Sequence, residues 1–395
     1  MNNRANGIRL VRITTAPVSL HLLLTGQLEY FRGKGFSLFV VSSDGPEKNH
    51  ITSSGIPFFS VPFTRRITPV NDLICLIRLI FILRKIKPDI VHTHTPKAGF
   101  IGMIASFVCG VPHRLHTVAG LPWIEFRGVK RKLLVLIEYL TYCCAHRVYP
   151  NSKGLLKFIS SLFPSLTHKF KIIANGSSNG IPVHYFTPDE EMLLKGNDLR
   201  RGLGIDKTTI SIGFIGRLVS EKGIAELLEA FKLLLSTHQH VKLILVGNFE
   251  PERDKLCEKD VLFIKECRHI YYAGFQQDVR PWIMAMDIFV FPSYREGFPN
   301  ALLQAACMAR PCIASDIIGN NEIVQHEYSG LLVESKNIQA LYAAMVRLLE
   351  NSEERKLFGL RAREHVIRNY AQDFVWQKIY EEYCDLTHER KILQR

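Results

Sequence analysis

Asp287-Ile-Phe-Val-Phe-Pro-Ser293, followed closely by Glu296-Gly-Phe-Pro-Asn-Ala-Leu-Leu-Gln304, reads as strand, loop and helix start. Residues 288 to 291 are β-branched and aromatic, which suits a strand buried on both faces of a parallel sheet. Pro292 ends the ladder because it has no N–H to donate. Asn300 is a good N-cap and predicts a helix through Ala-Leu-Leu-Gln-Ala-Ala-Cys-Met-Ala. An acidic side chain, a glycine and a helix N-terminus therefore gather at the carboxyl end of a strand. Open α/β sheets bind ligands there, and a helix start favours anions. An ordinary strand-to-helix connection with a solvated glutamate has the same local signature, so the flanking chain has to decide.

Outward from this stretch, strand-like and helical runs alternate as in parallel βαβ units. The N-terminal half predicts strands near 8–14, 37–43, 57–61, 89–93, 112–117, 147–150 and 170–174, with helices near 18–33, 70–87, 97–109, 130–145 and 152–163. Periodicity lapses between Asn179 and Gly204, where Asn-Gly-Ile-Pro, Thr-Pro-Asp and Arg-Gly-Leu-Gly mark a linker. A second series has strands near 209–216, 241–247, 269–273, 287–292, 311–315 and 330–333, with helices 223–236 and 253–267. Three terminal helices are expected over 337–350, 352–369 and 373–388; Trp376, Ile379, Tyr380 and Tyr383 give the last one an apolar stripe. The fold class is α/β, with two doubly wound domains and the cleft between them as the expected ligand site.

Composition narrows the class. A chain of 395 residues with 47% hydrophobic content can bury two cores. No apolar run reaches the ~18 residues of a spanning helix. Leu73 to Leu83 is the longest candidate and contains Arg78, which predicts a helix in a soluble core. The N-terminus shows no signal-peptide pattern. Nine cysteines lack metal-type or disulfide-type spacing, and Cys143-Cys144 are adjacent, which points to a reducing, cytoplasmic setting.

The net charge of +13 is uneven: residues 1–185 hold 23 Lys/Arg against 7 Asp/Glu, residues 186–395 hold 27 against 30. Only the first half is basic, in Arg65-Arg66, Arg84-Lys85-Ile-Lys87 and Arg127-Gly-Val-Lys130-Arg131-Lys132, the last running into Leu133-Leu-Val-Leu-Ile137. Basic residues beside apolar surface suit an anionic membrane surface, although a solvated face has the same composition. No nucleic-acid-binding module accompanies the clusters, so no nucleic-acid partner is expected.

Gly216-Arg217-Leu-Val-Ser-Glu221-Lys222-Gly223 follows the first strand of the second series and opens a helix. Two cations flanked by glycines near a helix start make an anion cradle. Neither a Walker-type lysine motif nor a strand-linked G-x-G-x-x-G occurs, and the chain contains no Asp-x-Asp. Protein cations, with no metal, are then expected to neutralise a diphosphate.

In order, Gly216-Arg217…Glu221-Lys222-Gly223, Asp287-Ile-Phe-Val-Phe-Pro-Ser293, Glu296-Gly-Phe-Pro-Asn…Gln304 and Pro311-Cys-Ile-Ala-Ser-Asp316…Gly319…Glu322-Ile-Val resemble the family 4 retaining glycosyltransferases. The resemblance implies a GT-B architecture: an acceptor-binding Rossmann-like domain over 1–185, a nucleotide-sugar-binding one over 186–370, and a terminal helix over 371–395 packing back on the first. It implies that Arg217 and Lys222 bind the donor diphosphate and that Glu296 contacts the donor sugar. The backbone of Gly297, Phe298, Pro299 and Asn300 would face sugar and diphosphate, with Gly216, Phe275 and Ser293 completing the donor-facing set. Gln304 stands where the family carries a second glutamate for the ribose, and its amide lacks the charge-assisted component.

In the first half, Asp89-Ile-Val-His92-Thr-His94-Thr-Pro-Lys97 and Pro112-His-Arg-Leu-His116-Thr-Val-Ala-Gly120 resemble the family's strand-end histidine segments, which places His116 at the reaction centre and His94 toward the acceptor. The family's glycine pair after the first strand is replaced by Thr14-Thr15-Ala-Pro17-Val-Ser19, leaving Pro17 and Ser19 as the acceptor loop. The resemblance extends to enzymes that lengthen polyprenyl-diphosphate-linked sugars, such as bacterial N-acetylgalactosaminyltransferases. It implies transfer of a hexose or N-acetylhexosamine from a nucleotide sugar, UDP-linked, to a lipid-linked saccharide, with no cofactor. The alternatives are a sugar-nucleotide epimerase or hydrolase of the same fold, and a non-catalytic sugar-nucleotide-binding protein.

Overall fold

A computed structural model describes residues 7–64, 66–250 and 254–393; Arg65 of the first basic cluster and the start of the helix expected from 253 lie outside them. The chain forms two compact units, one holding residues up to Gly180 together with those from Gln372 onward, the other Ile181–Ala371.

The first unit runs β1 (Arg9–Ile13), α1 (Pro17–Leu23), α2 (Gln27–Gly33), β2 (Ser37–Ser42), α3 (Lys48–Ser53), β3 (Phe58–Ser60), α4 (Pro69–Ile86), β4 (Ile90–Thr93), α5 (Pro96–Val108), β5 (His113–Val118), α6 (Gly128–Cys144), β6 (Arg147–Pro150) and α7 (Lys153–Leu162). Its strands form one parallel sheet in the order β3-β2-β1-β4-β5-β6. The second unit continues with α8 (Glu190–Gly202), β7 (Ile210–Ile215), α9 (Ile224–Thr237), β8 (Val241–Val246), α10 (Glu258–Glu266), β9 (Ile270–Gly274), α11 (Arg280–Ala285), β10 (Ile288–Phe291), α12 (Asn300–Cys307), β11 (Cys312–Ser315), α13 (Asn320–Ile323), β12 (Gly330–Val333), α14 (Ile338–Glu350) and α15 (Ser352–Tyr370). Its parallel sheet has the order β12-β11-β10-β7-β8-β9. Helix α16 (Gln372–Leu393) returns to the first unit.

The stripe on α16 is buried as Val375, Trp376, Ile379 and Tyr383, with Tyr380 only partly covered. Tyr383 is fully buried against Phe31 and Phe36, ring centroids 5.3 and 5.9 Å away. Each such side chain contributes roughly 1.5–3 kcal/mol by leaving water, so α16 is an integral part of the first core.

Four expectations about elements change. The single helix over 18–33 is two, because Gly26 takes a left-handed φ of 75° between them and a Cβ there would meet the Trp376 ring at 2.8 Å. The strand expected over 170–174 is reduced to isolated bridges, Phe170 to Val148 and Ala174 to Gly176, and Ala174 at φ 53° turns the chain between them and the next segment. The linker around Asn179–Gly204 contains α8, whose Asp189 cap accepts from Met192 N at 2.9 Å. Only Met192 and Gly196 are buried on α8, and Gly196 lies on Met284 of α11, so close backbone packing left no apolar stripe to read. Finally, α4 is not a core helix all round. Cys75, Leu79, Leu83 and Ile86 face inward, whereas Val70, Leu73, Ile74, Ile77 and Phe81 are exposed.

Glu138 is one of two buried acids among the described residues of the first unit, with Glu382. Glu138 of α6 accepts a hydrogen bond from Tyr142 Oη at 2.6 Å, yet burial pushes its carboxyl up to about 7 against the pull of that bond. A folded value above the unfolded one means that Glu138 favours the fold most below the ordinary carboxylate range, and that this contribution is lost as pH rises through about 7. Glu138→Gln is therefore expected to stabilise the protein by on the order of 2–3 kcal/mol at pH above 8 and to change little near pH 4. Urea midpoints at the two pH values check this; equal shifts at both would refute it.

Candidate functional site

Strands β7 and β10 pair in parallel, Ile212 opposite Ile288 and Gly213 opposite Phe289, so their carboxyl ends lie side by side. Gly216 and Arg217 leave β7 at that edge, and Pro292 and Ser293 leave β10. Two backbone contacts bind the loops together. Tyr294 N donates to the Glu221 carbonyl at 3.0 Å. Gly223, at φ 69°, presses on Pro292, whose carbonyl oxygen would lie 2.1 Å from a Cβ. Only glycine accommodates both that φ and that approach.

The charges alternate. Arg217 donates from Nη2 to Glu221 Oε1 at 2.9 Å and from Nη1 to Glu250 Oε2 at 3.0 Å. Arg295 Nη2 holds the other oxygen of Glu221 at 2.9 Å. Lys222 Nζ is paired with Glu296 Oε1 and sits 5.7 Å from the centroid of the Phe291 ring. Burial works against the charge on Arg217, but Glu250 and Glu221 outweigh it and hold the guanidinium above its ordinary range. The Lys222 and Glu296 side chains are 13% and 12% exposed and Arg217 30%, so all three cross from the interior to the surface. Such a lattice is preorganised for an anion: phosphate oxygens can take the places the carboxylates hold on Arg217 and Lys222.

Around it, Ser293 is fully buried and its Oγ finds no partner among the described residues. Gly297 is half-buried, Pro299 buried, and Phe298 packs on Tyr370 at 4.9 Å. Helix α12 starts at Asn300 with Pro299 in the cap position and no side-chain cap bond, so Asn300 is not the N-cap. Proline's fixed φ already turns the chain into the helix and leaves Asn300 in the first turn. Gln304 lies one turn along from Asn300, half-buried. Phe275 stands apart at the end of β9, two strands from β7 and 71% exposed, its backbone N bonded to Asn248 Oδ1 at 3.1 Å.

In the first unit, β1, β4 and β5 are neighbours, and their carboxyl ends carry the other expected residues. Pro17 is buried at the start of α1, Ser19 half-buried in its first turn, and Thr15 Oγ1 meets Thr95 Oγ1 at 2.7 Å. His116 is buried with Nδ1 2.8 Å from Thr93 Oγ1, and burial lowers its pKa to about 4. At neutral pH it is an uncharged hydrogen-bonding ring, not a cation. His94 stacks on His92 at 4.2 Å and meets Arg12 Nη1 through Nε2 at 2.5 Å; burial, then Arg12, depress its pKa well below the usual value. Among the described residues no group of three His, Cys, Asp or Glu is arranged to hold a metal ion.

Known proteins match both halves. Residues 24–176 match the family model described as a glycosyl transferase 4-like domain, and residues 209–351 the one described as glycosyl transferases group 1. The capsular polysaccharide biosynthesis glycosyltransferase CapM of Staphylococcus aureus is 30% identical over 367 residues, 93% of this chain and 94% of that one. The chain belongs to the family 4 glycosyltransferases. Another member, the UDP-Gal:α-D-GlcNAc-diphosphoundecaprenol α-1,3-galactosyltransferase of Escherichia coli, is 29% identical over 356 residues, 86% of this chain and 89% of the other. The fold is equally plain: Anabaena Alr3699/HepE, solved in complex with UDP, superposes with a TM-score of 0.79 at 19% identity, covering 96% of this chain and all (100%) of that one. The two doubly wound sheets are thus those of a GT-B glycosyltransferase, the expected fold class, and these relatives lend no support to an epimerase, a hydrolase or a non-catalytic binder.

Three residues of this glycosyltransferase escaped the sequence reading. Glu221 sits unmarked inside the Gly216–Gly223 motif, yet it ties Arg217 to Arg295. Glu250 lies beyond β8, and nothing in its neighbourhood marked it. Arg12 had a usable signal, a cation between Val11 and Ile13 in a central strand covered on both faces.

Proposed function

We propose that this glycosyltransferase moves a hexose or N-acetylhexosamine from a UDP-linked donor to a sugar carried on a membrane lipid diphosphate, with retention at the anomeric carbon. The observation that carries the reading is the pairing of Arg217 and Lys222 with carboxylates at the joined ends of β7 and β10. In this mechanism the donor diphosphate displaces Glu221 or Glu250 from Arg217 and Glu296 from Lys222, freeing Glu296 to contact the sugar. As the anomeric C–O bond breaks, both cations neutralise the departing diphosphate, and a diphosphate oxygen takes the proton of the attacking acceptor hydroxyl. Gly216, Ser293, Gly297 to Asn300 and Gln304 line the donor side, with Phe275 at its margin. Pro17, Ser19, His94 and His116 serve the acceptor side. Support for donor and acceptor class comes from the Escherichia coli galactosyltransferase and from the N,N'-diacetylbacillosaminyl-diphospho-undecaprenol α-1,3-N-acetylgalactosaminyltransferase of Campylobacter jejuni, which is 24% identical over 375 residues. The role belongs to surface polysaccharide or glycan assembly.

A panel of nucleotide sugars, read by thermal shift and then by product formation on undecaprenyl-diphosphate-linked acceptors, tests this. One UDP-sugar is expected to stabilise the protein and to be consumed only with acceptor, with chelator present or absent. Consumption without acceptor, or stabilisation by no UDP-sugar, would overturn it.

The reading also places the enzyme in the cytoplasm, on the inner membrane face. No described helix is long and apolar enough to cross a membrane. Helix α6 nonetheless exposes Val129, Leu133, Leu136 and Leu140 beside exposed Arg127, Lys130, Arg131 and Lys132. Helix α4 adds Val70, Leu73, Ile77 and Phe81 beside Arg78, Arg84 and Lys85. Apolar side chains flanked by cations suit shallow insertion among anionic lipids, at about 1 kcal/mol per nearby cation. Reversing Lys130, Arg131 and Lys132 to glutamate is expected to cut co-sedimentation with anionic liposomes at least tenfold at low salt; unchanged sedimentation would remove α6 from the interface.

A further inference from the structure

Arg12 is fully buried in a central strand, and among the described residues no carboxylate lies within ion-pair distance of it. Its guanidinium packs against both the Phe31 and Tyr383 rings, 5.4 and 5.5 Å away. Its partners are neutral: Gln27 Oε1 at 2.7 Å, His92 Nδ1 at 3.2 Å and His94 Nε2 at 2.5 Å. Glu382, next to Tyr383 on α16, is taken by the Tyr149 hydroxyl at 3.0 Å and by Lys171. Arginine can only donate, so both imidazoles accept from it, and the Tyr383 hydroxyl, 2.5 Å from His92 Nδ1, donates to that same nitrogen. His92 accepts at Nδ1 and donates from Nε2 to Thr117 Oγ1 at 2.7 Å. His94 accepts at Nε2 and therefore carries its proton on Nδ1. The groups left unpartnered are then two donors, Arg12 Nε–H and His94 Nδ1–H, together with the reversible amide end of Asn151. All three residues line one cavity of about 20 Å³ in the first unit, whose rim includes Ser177 and Ser178.

From this juxtaposition we propose that the cavity binds a monatomic anion of the chloride class. Each orphan group is a donor or can be turned to donate, the one charge present is positive and uncompensated, and the volume holds one atom of water or halide size. A diphosphate, or any polyatomic anion, does not fit. The anion would neutralise Arg12 and hold His94 in the tautomer described, one strand from His116.

Crystals grown with bromide in place of chloride test the site directly. An anomalous peak is expected in the cavity within hydrogen-bond reach of Arg12 and His94; its absence overturns the proposal, as does a peak-free cavity holding only a water. Thermal unfolding in chloride against gluconate at equal ionic strength gives a second reading. Chloride is expected to raise the midpoint of the wild-type protein by about 2–4 °C and that of Arg12→Leu not at all. A wild-type midpoint indifferent to chloride would likewise overturn it, even if Arg12→Leu fails to fold.

Discussion

Arg217→Ala is expected to lower turnover at saturating donor by about 100-fold or more, the scale seen when one preorganised donor to a developing anion is removed. The loss has two sources here. The departing diphosphate loses a cation, and Glu250, which Arg217 holds at 3.0 Å, loses that counterion beside it, while Glu221 keeps Arg295 at 2.9 Å. Donor affinity should therefore fall together with turnover, and adding Glu250→Gln to the alanine variant should return part of the affinity but not the turnover. Arg217→Lys keeps the charge without the fork that spans both glutamates, so only partial activity is expected. Single-turnover rates and donor titrations on these variants check the scheme. Wild-type turnover in Arg217→Ala at saturating donor would show that the lattice at β7 and β10 does not serve the leaving group.

Gly223→Ala carries the largest expected cost to stability. The residue sits at φ 69°, and its Cβ would come within 2.1 Å of the Pro292 carbonyl oxygen, a backbone atom at the end of β10 that cannot swing aside. Strain at positive φ alone costs about 1 kcal/mol, and relieving the clash means separating the two loops, so a total of about 3 kcal/mol or more is expected. The loops carry Lys222 and Glu296, so a donor-induced thermal shift should vanish with the stability. A Gly223→Ala protein with an unchanged urea midpoint would refute the account of how the two motifs are held in register.

Much of this was legible in one dimension because the signals are local. Four short segments that form an apolar strand or leave the end of one are set by the backbone at that point, and the first of them carries glycines and cations together. Glycine is needed where φ is positive, as at Gly223, and proline stops a ladder, as at Pro292. Helix α16 was equally readable, since its apolar residues recur at the helical period and Trp376, Ile379 and Tyr383 are buried. Helix α8 was hidden because it packs through Gly196, and a glycine face leaves no hydrophobic pattern.

The chain itself determined that there are two doubly wound sheets, that cations and a glutamate stand at strand ends in the second, and that the first half is the basic one. Pairing across space was decided only by the tertiary structure. Lys222 and Glu296 are 74 residues apart and Arg217 and Glu250 are 33 apart, so no periodicity or spacing records that they neutralise one another. Nor could a strand pattern show that Arg12 is enclosed by His92, His94 and Tyr383 with no acid in ion-pair reach among the described residues. Propensity acts through neighbours along the chain, whereas charge compensation acts through distance and burial, and these exist only once β7 lies against β10 and α16 has closed on the first core. In one dimension Glu296 is a lone acid on a strand-to-helix loop; folded, it is the counterion of Lys222.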